Sequence, residues 1–133
     1  MIDPTHPAAS LFLWLGGAGF LLVFALPLLL APLRWARLFR WDLPEQTDLT
    51  VYFGRCVGGL ALALLYFVFR AAPAPADHPD TMLHVALACA LMVVVHAWGA
   101  LRRAQPWTED AEILLYAALA ALAFWLHAGL TTP

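Results

Sequence analysis

Residues 10–31 read SLFLWLGGAGFLLVFALPLLLA, with no ionisable side chain and one hydroxyl, that of Ser10. An α-helix needs about 20 mostly apolar residues to cross the hydrocarbon core of a bilayer, and buried helices of soluble domains use shorter apolar runs. The stretch is therefore read as a transmembrane span. It is longer than a signal-peptide core, and its flank opens Met1-Ile2-Asp3 with no cationic region, so the span is expected to be retained.

Working outward from it, the same test finds three further spans, at 49–69, 81–101 and 111–130, of which the second holds one charge, Arg55. Helix-start chemistry precedes each. Thr47 and Asp48, Asp80 and Thr81, and Thr108 with Glu109 and Asp110 offer short oxygen-bearing side chains to free amide hydrogens and acids to the positive dipole end. Residues 71–79, AAPAPADHP, cannot continue a helix and form a loop. The fold expected is an all-α integral membrane protein: one membrane domain, residues 1–133, built as a bundle of four transmembrane helices.

Composition agrees. Of 133 residues 63% are hydrophobic and 12% charged, with mean hydropathy +0.78. A soluble domain carries about a quarter charged residues to wet its surface. Net charge is −2, which gives no nucleic-acid footprint. All seven basic residues are arginine, and with the heavy alanine and leucine usage this reads as the coding bias of a GC-rich bacterium.

The connection between the first two spans holds Arg34, Arg37 and Arg40, and that between the last two holds Arg102 and Arg103. These connections share a side, and the positive-inside rule places it in the cytoplasm, leaving both termini periplasmic in a bacterial inner membrane. Residues 33–43, LRWARLFRWDL, mix arginines with Trp35, Phe39 and Trp41. That mixture predicts a short interfacial helix with its rings in the headgroup layer. Trp98, Trp107 and Trp125 sit near span ends as interfacial anchors.

Ionisable groups inside a membrane are costly and default to function or to a named partner. On the second span Tyr52, Arg55, Gly59, Ala63, Tyr66 and Arg70 fall within about an 80° arc. Glu112, Tyr116, Ala120, Ala123 and His127 form a similar stripe on the fourth, and Cys89, Met92, His96 and Gly99 share a face of the third. Small residues interleaved with polar ones suit helix–helix contact in lipid, so the three faces are expected to point at each other. Arg55, His96 and Tyr116 lie about 7 to 9 Å inside the arginine-rich end of their spans, with Glu112 at the boundary. They form a candidate polar cluster in which Glu112 and Tyr116 are the expected partners of Arg55. Gly54 and Gly58 have G-x-x-x-G spacing beside Gly59, and Gly16 and Gly19 of the first span are the candidate packing surface opposite.

His84 and His127 stand near the other end of adjacent antiparallel spans. Two such imidazoles are candidate axial ligands of a b-type haem. Cys56 and Cys89 match no metal or redox spacing and read as structural thiols. No P-loop, dinucleotide fingerprint, zinc-protease helix or nucleophile elbow occurs, and serine appears once. No catalytic or metal site and no cofactor is expected. The function expected is that of a non-catalytic accessory or assembly subunit acting by helix packing, with lipid and other membrane subunits, or itself, as partners. A haem electron-transfer subunit and an oligomeric channel or carrier for protons or a small solute are the alternatives.

Overall fold

The computed structural model describes residues 1–132. Four long helices dominate: α1 (Pro7–Leu30), α3 (Asp48–Ala71), α4 (Pro79–Leu101) and α5 (Trp107–Thr131). A short helix α2 (Pro32–Leu38) follows α1, and a 3₁₀ turn (Pro75–Asp77) links α3 to α4. All four long helices are long and apolar enough to span a membrane, and only 17 to 22% of each apolar window is buried by the protein itself. Leucine, valine and aromatic side chains cover the outside, as lipid requires. The chain is a multi-pass helical membrane protein. The four long helices run close to the segments 10–31, 49–69, 81–101 and 111–130, and α5 starts at Trp107, directly after Pro106, and so takes Glu109 into its first turn.

Proline shapes α1. Between Leu21 and Ala25 the helix widens into a π turn, in which the Leu26 N–H reaches back to the Leu21 carbonyl. Pro27 has no N–H to give, which leaves the Val23 carbonyl without its partner four residues on. A bare carbonyl in hydrocarbon costs several kcal/mol, about what an unsatisfied polar group loses on leaving water. The indole N–H of Trp35 fills the place, donating to the Val23 oxygen at 2.8 Å. Trp35 then packs edge-on against Phe24 and stacks on Phe39, at centroid distances of 5.4 and 4.6 Å. The Trp35 ring thus repairs α1, and helix forms over Pro32–Leu38, covering only part of 33–43.

Helix α2 ends in a Schellman motif: Trp41 N–H bonds the Ala36 carbonyl, Arg40 N–H bonds the Arg37 carbonyl, and Arg40 is left-handed at φ 65°. Helix α4 ends the same way, with Ala104 to Gly99 and Arg103 to Ala100 and Arg103 at φ 50°. An arginine sits at each position where glycine is usual.

The long helices form two antiparallel hairpins, α1–α3 and α4–α5, with α4 and α5 in contact along much of their length and α3 and α4 touching sparsely. All four meet near the termini, where Ala9 and Leu13, Val68 and Ala71, Met82 and Ala86, and Ala123 and Leu126 make one buried cluster. There the Ser10 hydroxyl donates to the Ala72 carbonyl at 2.7 Å, tying α1 to the end of α3. A second cluster, Ala25 with Ala61 and Leu65, belongs to the first hairpin alone.

The glycine pairing differs from the expected one. A Cβ on Gly54 would lie 2.6 Å from Pro32, and one on Gly58 would lie 2.6 Å from the Leu29 nitrogen and 2.9 Å from the Ala25 oxygen. Both therefore pack on the far end of α1. It is Gly17 that takes the other end, with Phe69 2.9 Å from its would-be Cβ, while Gly16, Gly19 and Gly59 face open space. Antiparallel geometry is the reason: the start of α3 lies beside the end of α1, not beside its glycine cluster.

Candidate functional site

The three polar stripes part company. Those of α4 and α5 face each other: His96 and Ala120 and Ala123 are buried, and Cys89, Met92, Gly99, Glu112, Tyr116 and His127 are half-buried. The stripe of α3 faces away. Tyr52, Arg55, Gly59, Ala63, Tyr66 and Arg70 are all exposed, and Arg55 makes no ion pair among the described residues. The expected contact of Arg55 with Glu112 and Tyr116 is therefore corrected. The α3 helix pairs with α1 and only grazes α4, so its polar edge turns outward.

In place of Arg55 the cluster gains Glu109. His96, on the last turns of α4, is 4% exposed, and Glu109, on the first turn of α5, is 7% exposed. His96 Nε2 lies 3.1 Å from Glu109 Oε2 and 3.6 Å from Glu112 Oε2. Glu109 and Glu112 stand three apart on α5, which puts both on one face of the helix. The Tyr116 ring tilts against the imidazole with centroids 5.1 Å apart, one turn further along the same face as Glu112.

The shell around these groups fixes them. His96 Nδ1 is 2.8 Å from the Met92 carbonyl. A carbonyl only accepts, so Nδ1 carries hydrogen and Nε2 is the atom turned to the carboxylates. Trp41, from the connection within the first hairpin, donates its indole N–H to Glu109 Oε1 at 2.9 Å. The Thr108 hydroxyl donates to the Phe39 carbonyl at 2.6 Å, and Arg40 lies over the Trp107 ring at 5.5 Å. Gln105 donates to the His96 carbonyl at 3.0 Å and to Asp110 at 2.8 Å. Its side chain occupies the space a Cβ on Gly99 would need, which explains a glycine at that position. The two arginine-rich connections thus close over one buried His–Glu–Glu group.

Sequence reasoning placed His96, Glu112 and Tyr116 together and missed Glu109, Trp41 and Gln105. One signal was available for Glu109. His96 lies six residues before the short 102–106 connection and Glu109 three after it, and positions this close to a tight antiparallel turn come near each other across it.

His84 is exposed and its Nδ1 sits 2.6 Å from the Asp80 carbonyl. His127 is half-buried, with Nδ1 3.1 Å from the Pro79 carbonyl. Each ring is held through Nδ1, so a haem would have to draw on the Nε2 atoms. Cys56 and Cys89 are free thiols, each half-buried.

Fold and site define a class: a multi-pass helical membrane protein with a buried His–Glu–Glu group under one end of the bundle. No protein-family model, no curated protein and no solved structure matches the chain. Its own geometry carries the functional reading.

Proposed function

We propose that the chain is a non-catalytic accessory or assembly subunit of a bacterial inner membrane, docking through the outward stripe of α3 onto a transmembrane helix of a different membrane protein. By the arginine bias, the His–Glu–Glu end faces the cytoplasm and both termini face the periplasm. One observation carries the reading: Arg55 stands exposed on the lipid-facing side of α3, about 10 Å along the helix from Asp48.

A guanidinium at that depth calls for a carboxylate or backbone carbonyls from a neighbour. A second copy is a poor source, because the carboxylates near this depth, Glu109 and Glu112, already face His96. Gly59 and Ala63 lie on the same exposed edge, and Gly59 has open space around it. They would let a foreign helix approach closely, with Tyr52 and Tyr66 flanking it.

Blue-native electrophoresis of native membranes tests this. Wild type is expected in an assembly larger than the monomer or homodimer, and Arg55→Leu and Gly59→Leu should both collapse it while Gly16→Leu does not. Migration unchanged by both α3 substitutions would remove the proposal. A homodimer that purified protein reproduces by itself would replace the foreign helix with a second copy. The channel or carrier alternative uses the same Arg55, and would show instead as lost flux with the assembly intact.

A further inference from the structure

We infer that His96, Glu109 and Glu112 form a binding site for a divalent transition-metal cation, of the zinc, iron(II) or manganese class. The three side chains each offer one donor atom, and those atoms lie within 4.8 Å of one another. Ligands bound to such a metal at about 2.1 Å stand roughly 3.0 to 3.5 Å apart in tetrahedral or octahedral arrangement. Of the His96 Nε2 to carboxylate distances, 3.1 Å falls within that spacing and 3.6 Å lies just beyond it.

The hydrogen bonds point the same way, independently of the spacing. With Nδ1 donating to the Met92 carbonyl, the neutral ring presents a bare lone pair at Nε2. Opposite it are two carboxylates, which also only accept. Three such groups therefore converge on one spot, where either a proton on Nε2 or a metal cation in its place can stand between them. A proton on Nε2 supplies one positive charge against two negative ones. A divalent ion supplies two and leaves the group neutral, which a nearly dry position at a membrane boundary favours.

The outer contacts are those of a metal site as well. A ligating imidazole almost always gives its other N–H to a carbonyl or carboxylate, and ligating carboxylates are themselves hydrogen-bonded. Met92 does the first for His96, and Trp41 does the second for Glu109. One nitrogen and two carboxylate oxygens select the borderline metals over calcium or magnesium, which take oxygen alone, and over copper(I), which takes sulfur. Three protein ligands leave coordination positions open, on the side where Glu112 is partly exposed.

Cobalt(II), added to chelator-treated protein in detergent, is the probe. Wild type should bind about one ion per chain, with visible ligand-field bands that zinc displaces, and zinc should raise its melting temperature. Glu112→Gln and Glu109→Gln should each weaken cobalt binding at least tenfold, the scale on which lost metal contacts register. Folding of each variant is checked by circular dichroism. Folded wild type that takes up no cobalt and no zinc at millimolar metal would overturn the site, whatever the variants do. Equal uptake by wild type and the Glu109→Gln, Glu112→Gln double variant would also overturn it. These readouts use the isolated chain, so they stand or fall separately from the docking of α3.

Discussion

The two hairpins are built on different physics. The α1–α3 hairpin is held by backbone brought close: Gly54 and Gly58 against residues 25–32, Gly17 against Phe69. Its polar side chains point outward, except for Ser10 and the Trp35 repair of α1. The α4–α5 hairpin buries His96 and Glu109 between its helices, with Gln105 and the exposed Asp110 completing the hydrogen bonds over the 102–106 turn. Lipid offers no hydrophobic drive between helices, so a pair must associate by close van der Waals contact or by hydrogen bonds. This chain uses the first solution in one half and the second in the other. The first leaves a polar edge free to meet another protein, and the second encloses one.

If that contrast is right, the largest single effect lies in the first hairpin. Gly58→Leu places carbon within 3 Å of backbone on α1, which only a parting of the helices relieves. A loss of about 3 kcal/mol or more is expected, at the top of the overpacking range, read by steric trapping or by unfolding in mixed micelles. Gly59→Leu, one residue on but facing open space, should leave the purified chain within about 0.5 kcal/mol of wild type. Equal losses at both positions would erase the distinction between the inner and outer faces of α3.

The next effect measures how far the halves are joined. Trp41 reaches from the first hairpin's connection to Glu109 on α5. Trp41→Phe removes that donor and should cost about 2 kcal/mol, the usual range for a bond to a charged group. In a double-mutant cycle with Glu109→Gln, a coupling near 1 kcal/mol would show that the connection locks onto the second hairpin. A coupling near zero would leave the Thr108 bond to Phe39, the Arg40–Trp107 contact and the core near the termini to join the hairpins.

How much of this was legible beforehand follows from the same contrast. The spans were plain because hydrocarbon thickness sets a length that a run such as 10–31 either meets or does not. Which stripe met which was not plain. Helical periodicity gives the face of a helix, whereas the pairing of four faces depends on packing between helices distant in sequence. Arg55 looked like the natural partner of Glu112 on charge and depth, yet α3 turns that face away. Glu109 was hidden for a local reason. It read as helix-start chemistry in the first turn of α5, and nothing in a linear pattern says that such an acid is also buried. Trp35 and Trp41 read as headgroup-layer rings by composition, which says nothing of N–H groups that go to Val23 and Glu109. Those destinations depend on a carbonyl freed by Pro27 and on a fold-back that no single segment encodes.

A smaller effect compares the two arginine-rich turns. Arg40 and Arg103 both occupy left-handed conformations at helix ends, which cost a side-chain-bearing residue roughly 1 kcal/mol relative to glycine. Arg103→Gly should therefore stabilise the chain by about 1 kcal/mol. Arg40→Gly should gain less, because Arg40 also lies over the Trp107 ring and that cation–π contact is worth about 0.5 kcal/mol where exposed. Equal gains in thermal unfolding would mean that the contact across the hairpins contributes nothing.

The smallest effect is at the opposite end, where the first hairpin has its one polar tie. The Asp3 carboxylate accepts from the Thr5 amide at 2.8 Å and from its hydroxyl at 2.6 Å, while the Asp3 amide donates to Ser10 at 3.1 Å. The Thr5 hydrogen bonds, with a further contribution from His6, favour the charged carboxylate and hold Asp3 below its ordinary value of 3.8. A depressed acid stabilises the fold above its unfolded value, and that contribution is lost as pH falls through the folded one. The N-terminal turn should therefore stay closed from neutrality to below the ordinary aspartate range, then open as Asp3 takes up its proton. Because the group sits in the N-terminal turn ahead of α1, the change should be local: amide exchange at Thr5 and His6 should rise, with the melting temperature hardly moved. Asp3→Asn should show the raised exchange already at neutral pH. If that exchange is instead indifferent to both acid and substitution, the Ser10 to Ala72 bond alone holds the start of α1.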